Sequence, residues 1–135
     1  MKHVLVIGGN GMLGSAVGTI LSQDPGYTVS QTVRKGAKRH AGMPDCPTHY
    51  VDILNDAALW ELIAKVRPNA VINCVGVIKQ RPEAQDPLVM YSVNTIFPHK
   101  LAQICKAFGT RMVHFSTDCV FTGEVGNYAD TALSD

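Results

Sequence analysis

The chain has 135 residues, with 12 Lys and Arg against 11 Asp and Glu and a formal net charge of +1. That balance excludes electrostatic capture of nucleic acid or of an anionic membrane surface, and no apolar stretch is long enough to span a bilayer. The length suits one domain, residues 1–135, around one core.

Cys46, Cys74, Cys105 and Cys119 form no C-x-x-C pair, and the histidines show no ligand spacing. Free thiols in a reducing, cytoplasmic compartment are therefore expected, with no metal site. The chain opens directly on a strand pattern, without the architecture of a signal peptide.

Val4–Ile7 is a short apolar run rich in β-branched residues and predicts a buried strand. Glycines at 8, 9, 11 and 14 follow, spaced as G-x-x-G-x-x-G from Gly8 and as G-x-G-x-x-G from Gly9. Between a strand and a helix, this turn suits the pyrophosphate of a dinucleotide. Gly8 permits the tight turn, Gly11 lets the backbone approach the phosphates, and Gly14 lets the helix pack closely. Asn10 lies within the turn. Met12, Leu13 and Gly14 open a helix whose N–H groups and dipole favour an anion.

Met12, Leu13, Ala16, Val17, Ile20 and Leu21 recur at helical spacing as one stripe. The helix is expected to end near Ser22, before Asp24-Pro25-Gly26. Tyr27–Val33 predicts a second strand, with Val29, Gln31 and Val33 on one side. Arg34–Cys46 reads as a loop and Thr48–Val51 as a third strand. Leu59, Leu62, Ile63 and Val66 mark the buried face of a second helix, with Asn55 as its N-cap. Ala70–Asn73 is a fourth strand, and a polar loop spans Lys79–Pro87. Leu88–Phe108 is helical, with Leu101, Ile104, Cys105 and Phe108 on one face. Pro98 is expected to kink or break it, and Gly109 to cap it. Arg111–Phe115 is a fifth strand, after which no strong period remains.

Strands alternating with helices predict an α/β Rossmann doubly wound parallel sheet of order 3-2-1-4-5. Ligand is then expected across the carboxyl ends of strands one and four. The loops that start at Gly8, Arg34, Asp52, Cys74 and Ser116 leave that same edge. At the end of strand two, where an acid would bind the ribose hydroxyls of NAD, the chain has Arg34-Lys35. A cationic pair suits a 2′-phosphate, which favours NADP while leaving NAD open. Asp52 could accept from an adenine amino group with Ile53 over the ring, or equally serve as a helix-entry acid beside a core Ile. Cys74, Val75, Gly76 and Val77 are small enough to let the backbone lie along the nicotinamide ribose.

The segment His114-Phe115-Ser116-Thr117-Asp118-Cys119-Val120-Phe121-Thr122-Gly123 closely resembles the S-T-D-x-V-F-x-G signature of extended short-chain dehydrogenase/reductases, in the dTDP-4-dehydrorhamnose reductase branch. The glycine turn, Asp52-Ile53, Asn73–Gly76, Asn94 and Asn127-Tyr128 fall in matching order. The resemblance implies hydride transfer from NAD(P)H to the keto group of a nucleotide-activated deoxysugar, in nucleotide-sugar metabolism and dTDP-rhamnose biosynthesis. It implies that Thr117 hydrogen-bonds the developing alkoxide, with Ser116 and Asp118 supporting the turn and Asn94 bracing the site. A strand-end hydroxyl capping local backbone is the other reading of Thr117.

The family's proton-donating Tyr, with a Lys four residues later, has no counterpart here. Tyr27, Tyr91 and Tyr128 are followed at that spacing by Gln31, Thr95 and Ala132. Tyr128 matches a structural aromatic instead. The chain is therefore expected to be the N-terminal cofactor-binding part of a longer reductase, truncated before the later strands and inactive alone. An epimerase or dehydratase of the same superfamily, and a non-catalytic NADP-binding regulatory subunit, are the alternatives. The open edge of strand five favours self-association, as a homodimer.

Overall fold

Five parallel strands form one sheet in a computed structural model that describes residues 1–78, 85–117 and 120–134. They are β1 (Lys2–Ile7), β2 (Tyr27–Val33), β3 (Thr48–Tyr50), β4 (Ala70–Asn73) and β5 (Arg111–His114), in the order β3-β2-β1-β4-β5. The expected doubly wound order is present, and β3 and β5 each stop one residue short of the sequence reading. Helices α1 (Met12–Ser22) and α2 (Asp56–Val66) follow β1 and β3. Between β4 and β5 lie α3 (Pro87–Met90), a π-helical segment (Tyr91–Ile96) and α4 (Phe97–Ala107).

Register divides the core in two. Val4 and Val6 of β1 pack with Val29, Val17 and Leu21 on the α1 side. Leu5 and Ile7 point the other way, into a larger cluster with Leu59, Ile63, Leu101 and Val71. Each such fully buried side chain contributes about 2 kcal/mol by leaving water. Trp60 and Phe108 stack tilted at 4.9 Å where α2 meets the end of α4.

The α1 stripe needs correction. Met12 is 91% exposed and Ile20 67%, and the helix buries Gly14, Ser15 and Gly18 instead. Small side chains let α1 lie close to the sheet, so the apolar stripe lies only partly inward, at Val17 and Leu21.

Asn55 is the N-cap of α2, its Oδ1 accepting from Ala58 N–H at 3.1 Å. Arg67 ends that helix in the left-handed region, at φ 47°. Pro98 does break the third helical stretch, by a specific route. Having no N–H, it cannot donate to the carbonyl of Asn94, and the coil widens just before it, with Phe97 N–H reaching Ser92 C=O. The chain continues as α4 with Pro98 in its first turn.

β2 is unusual in burying Ser30, Gln31 and Thr32 at 1% exposure or less. Ser30 Oγ meets His3 Nε2 at 2.8 Å, Gln31 Nε2 donates to Thr48 Oγ1 at 3.0 Å, and Thr32 Oγ1 accepts from Gly8 N–H at 3.2 Å. Of the expected polar loop, residues 79–84 lie outside the described residues, as do Asp118 and Cys119. Past β5 the described residues hold no helix or strand, and Tyr128 stacks on Phe121 at 4.3 Å, in keeping with a structural aromatic.

Candidate functional site

β1 runs out into a turn closed by Gly11 N–H donating to Gly8 C=O at 3.0 Å. Gly8 has φ +87°, and a Cβ on it would press on Val75 Cγ2. A Cβ on Gly14 would overlap the Gly8 carbonyl, so Gly14 sets how closely α1 begins against the turn. Gly11 is the N-cap of α1, no side chain caps the helix, and no acid lies in its first turn. The first bond along the helix runs from Ser15 N–H to Gly11 C=O at 2.9 Å. Met12, Leu13 and Gly14 thus present the N–H groups of an uncapped helix start, an arrangement that attracts an anion.

A cleft of about 500 Å³ opens beside this turn. Gly8, Asn10 and Gly11 form one wall, and Arg34 stands at the end of β2. Asp52 and Ile53 enter from the end of β3, and Cys74–Val77 from the end of β4. Four of the five expected exit loops meet as the strand order requires, beside the reversal between β1 and β4, and the loop from Ser116 does not join them in the cleft lining. Lys35 is exposed and does not line the cleft, nor do the side chains of Met12 and Leu13. Ser116 and Thr117 lie just past β5, exposed and outside the cleft lining.

Asp52 Oδ1 accepts from Leu54 N–H at 3.0 Å, and its carbonyl accepts from Asn55 N–H. It therefore shapes the approach to α2, while the cap itself is Asn55. At the end of β4, the fully buried Asn73 accepts from Val75 N–H and meets His114 Nδ1, both at 3.0 Å. Asn94, on the π-helical segment, holds Val77 by both its N–H and its carbonyl.

Burial pushes the Cys74 thiol up to about 11, and that of Cys105 likewise. Cys46 is raised by burial too, with Arg39 opposing. Such thiols stay protonated near neutral pH and pack as small apolar groups.

Some cleft residues escape the sequence reading. Val89 and Val93 close the far wall, and their four-residue spacing on a helical stretch was the available signal. Thr32, buried behind the turn, holds Gly8 through its hydroxyl, and nothing in a strand of Ser, Gln and Thr marks which one does so.

Residues 4–133 match the NAD dependent epimerase/dehydratase family. The chain is 33% identical over 128 residues to the probable low-salt glycan biosynthesis reductase Agl14 of Haloferax volcanii, covering 93% of this chain and 40% of that protein. It is 30% identical over 122 residues to the dTDP-4-dehydrorhamnose reductase of Streptomyces griseus, covering 90% of this chain and 35% of that one. The crystal structure of a hypothetical dTDP-4-dehydrorhamnose reductase from Sulfolobus tokodaii superposes with a TM-score of 0.82 at 25% identity, covering this whole chain and 46% of that one. The chain thus spans less than half the length of each of these relatives.

Proposed function

The chain belongs to the NAD dependent epimerase/dehydratase family, and from that premise we propose that it is the NADP-binding portion, residues 1–135, of a nucleotide-sugar reductase. One observation carries the proposal: the uncapped start of α1, Arg34, Asp52 and the Cys74–Val77 strand exit converge on one cleft. The residues fit a dinucleotide. Asn10, Gly11 and the N–H groups of Met12, Leu13 and Gly14 hold the pyrophosphate, and Gly8 allows the turn that aims them. Arg34 and Lys35 take the 2′-phosphate. Asp52 and Ile53 receive the adenine, and Cys74, Val75, Gly76 and Val77 receive the nicotinamide riboside.

When bound, the nicotinamide group supplies a hydride to the carbonyl carbon of a keto-deoxysugar nucleotide. Thr117 is assigned to that carbonyl oxygen, where its hydroxyl donates as negative charge grows. Ser116 supports this turn beside the nicotinamide. The general acid and the sugar-orienting groups are assigned outside this stretch, so the 135 residues alone are expected to be inactive. Proton donation by a general acid is worth about 10²–10⁴-fold. The half-exposed Val113 on β5 and Phe115 just past its end fit a homodimer through that edge, and the free thiols fit the cytoplasm.

Calorimetric titration tests the cofactor assignment. NADPH should bind more tightly than NADH, and Arg34→Ala should cost about tenfold in NADPH affinity while leaving NADH nearly unchanged. Equal affinities, indifferent to the substitution, would refute it. The family's description also supports an epimerase or dehydratase. Net NADPH consumption with a keto-sugar nucleotide, measured on the full-length enzyme, separates a reductase from these, which end with their cofactor unchanged.

A further inference from the structure

The loop between β2 and β3 carries a second feature at the cleft. Arg34-Lys35-Gly36-Ala37-Lys38-Arg39 is a basic tract that ends at His40. Arg39 is engaged locally, with Nη2 donating to Pro44 C=O at 2.8 Å and lying 3.3 Å from Asp45 Oδ1. The side chains of Arg34, Lys35 and Lys38 have no hydrogen-bond or ion-pair partner among the described residues, while the Arg34 carbonyl accepts from Ala37 N–H at 2.9 Å. Three cations thus sit on a short tract, fixed at one end by β2.

His40 fixes the other end. Gly42 N–H donates to His40 Nδ1 at 3.2 Å, so that nitrogen carries no proton, and the neutral ring carries its proton on Nε2. Nε2 then donates to the carbonyl of Asn10, 3.1 Å away, inside the glycine turn. Beyond His40 the loop is docked on α1. Met43 N–H donates to His40 C=O at 3.1 Å, Thr19 Oγ1 donates to Gly42 C=O at 3.3 Å, and Pro44 packs over Gly18.

We propose that His40 is a positioning residue that ties the basic tract to the glycine turn, so that the 2′-phosphate and pyrophosphate of one dinucleotide meet a preassembled pair of anion sites. The ligand class is an adenine dinucleotide bearing a phosphate monoester on its ribose. The inference rests on the cofactor assignment above and adds a residue that does not touch the ligand through its own charge. Without the tie, the tract is anchored only at Val33 and at its docked far half, and ordering Arg34 and Lys35 on a phosphate costs entropy that the wild-type loop has already spent.

The test is calorimetric titration of this chain with NADPH and with NADH, comparing wild type, His40→Ala and His40→Gln. Gln places an amide N–H close to where Nε2 stands. His40→Ala should weaken NADPH binding about tenfold and NADH binding no more than about twofold, and His40→Gln should recover most of the loss. Circular dichroism of each variant checks that the fold is kept. Equal weakening of both cofactors, unchanged NADPH affinity, or a Gln variant as impaired as the Ala variant overturns the inference while the 2′-phosphate assignment stands. Equal wild-type affinity for NADPH and NADH instead withdraws that assignment, and this inference with it.

Discussion

Asn94 grips Val77 from both sides of one residue. Its Oδ1 accepts from Val77 N–H and its Nδ2 donates to Val77 C=O, each at 2.8 Å. The π-helical segment that carries Asn94 is thereby joined to the strand exit that lines the cleft. A widened coil ahead of Pro98 sets where along the helix Asn94 faces that exit.

Asn94→Ala should remove both bonds, cost about 1–2 kcal/mol in urea denaturation and loosen the Cys74–Val77 wall. Dinucleotide affinity should fall with it. Asn94→Asp keeps the acceptor and loses the donor, so it should lie between. If the Ala variant matches wild type in both stability and binding, the clamp holds nothing that the cleft needs.

Two glycines in the same turn should respond in opposite ways. Gly11 has φ −77° and ψ 163°, a backbone any residue adopts, and a Cβ there meets only the Gly8 carbonyl at 3.4 Å. Gly11→Val should therefore fold and fail to bind dinucleotide, because its methyls occupy the phosphate position. Gly14→Ala drives a Cβ into the Gly8 carbonyl, where neither backbone can yield easily. It should destabilise by about 1–3 kcal/mol, comparable to overpacking a core. Thermal unfolding paired with NADPH titration checks both, and a Gly11→Val variant that binds normally would move the phosphates off this turn.

The strand order was legible because each strand announced itself. Val4–Ile7 and Ala70–Asn73 are short apolar runs flanked by turn residues, and the glycine turn fixed which strand came first. Asn55 was legible because a cap depends on one side chain and its immediate successors. Gly14 was legible as a close-packing position, but Ser15 and Gly18 were not legible as the rest of the buried face of α1, since the large apolar residues mark a different stripe and close packing here selects small ones. The π-helical segment escaped because its cause is one absent N–H at Pro98, which shifts the register of residues before it. Gln31 shares the side of Val29 and Val33 as the alternation implies, but its bond to Thr48 was not legible until β2 and β3 lie side by side. The spacing of Val89 and Val93 marks a helical face but not what it faces, and His40 meets the Asn10 carbonyl only through tertiary approach, which no local pattern encodes.

Cys74 lines the cleft with its thiol pushed up to about 11 by burial. At pH 8 that leaves about one thiolate per thousand, from the three-unit gap. Iodoacetamide should therefore modify it far more slowly than a free cysteine, and the rate should keep rising between pH 8 and pH 10. Saturating NADPH should slow it further by covering the strand exit. Mass spectrometry of the Cys74 peptide gives the rate, and rapid labelling at pH 7 would mean that the thiol is not buried as described.

Acid should weaken the fold partly through His49. It lies on β3 opposite Thr32, and burial, then Lys65 and His3, hold its pKa below the ordinary value of 6.5. The unfolded chain thus takes up a proton at a higher pH than the folded one. The neutral ring's contribution is fully present above about pH 6.5 and is lost as pH falls through the depressed folded value. Between pH 7.5 and 5.5 few carboxylates titrate, so histidines dominate the change. Urea denaturation should give a lower midpoint at pH 5.5 than at pH 7.5, and His49→Gln should shrink that difference, because its amide does not charge. The effect is modest, since the ring is only partly buried and water screens its neighbours. An identical acid-induced drop in His49→Gln would assign the sensitivity to other groups and remove His49 from the account.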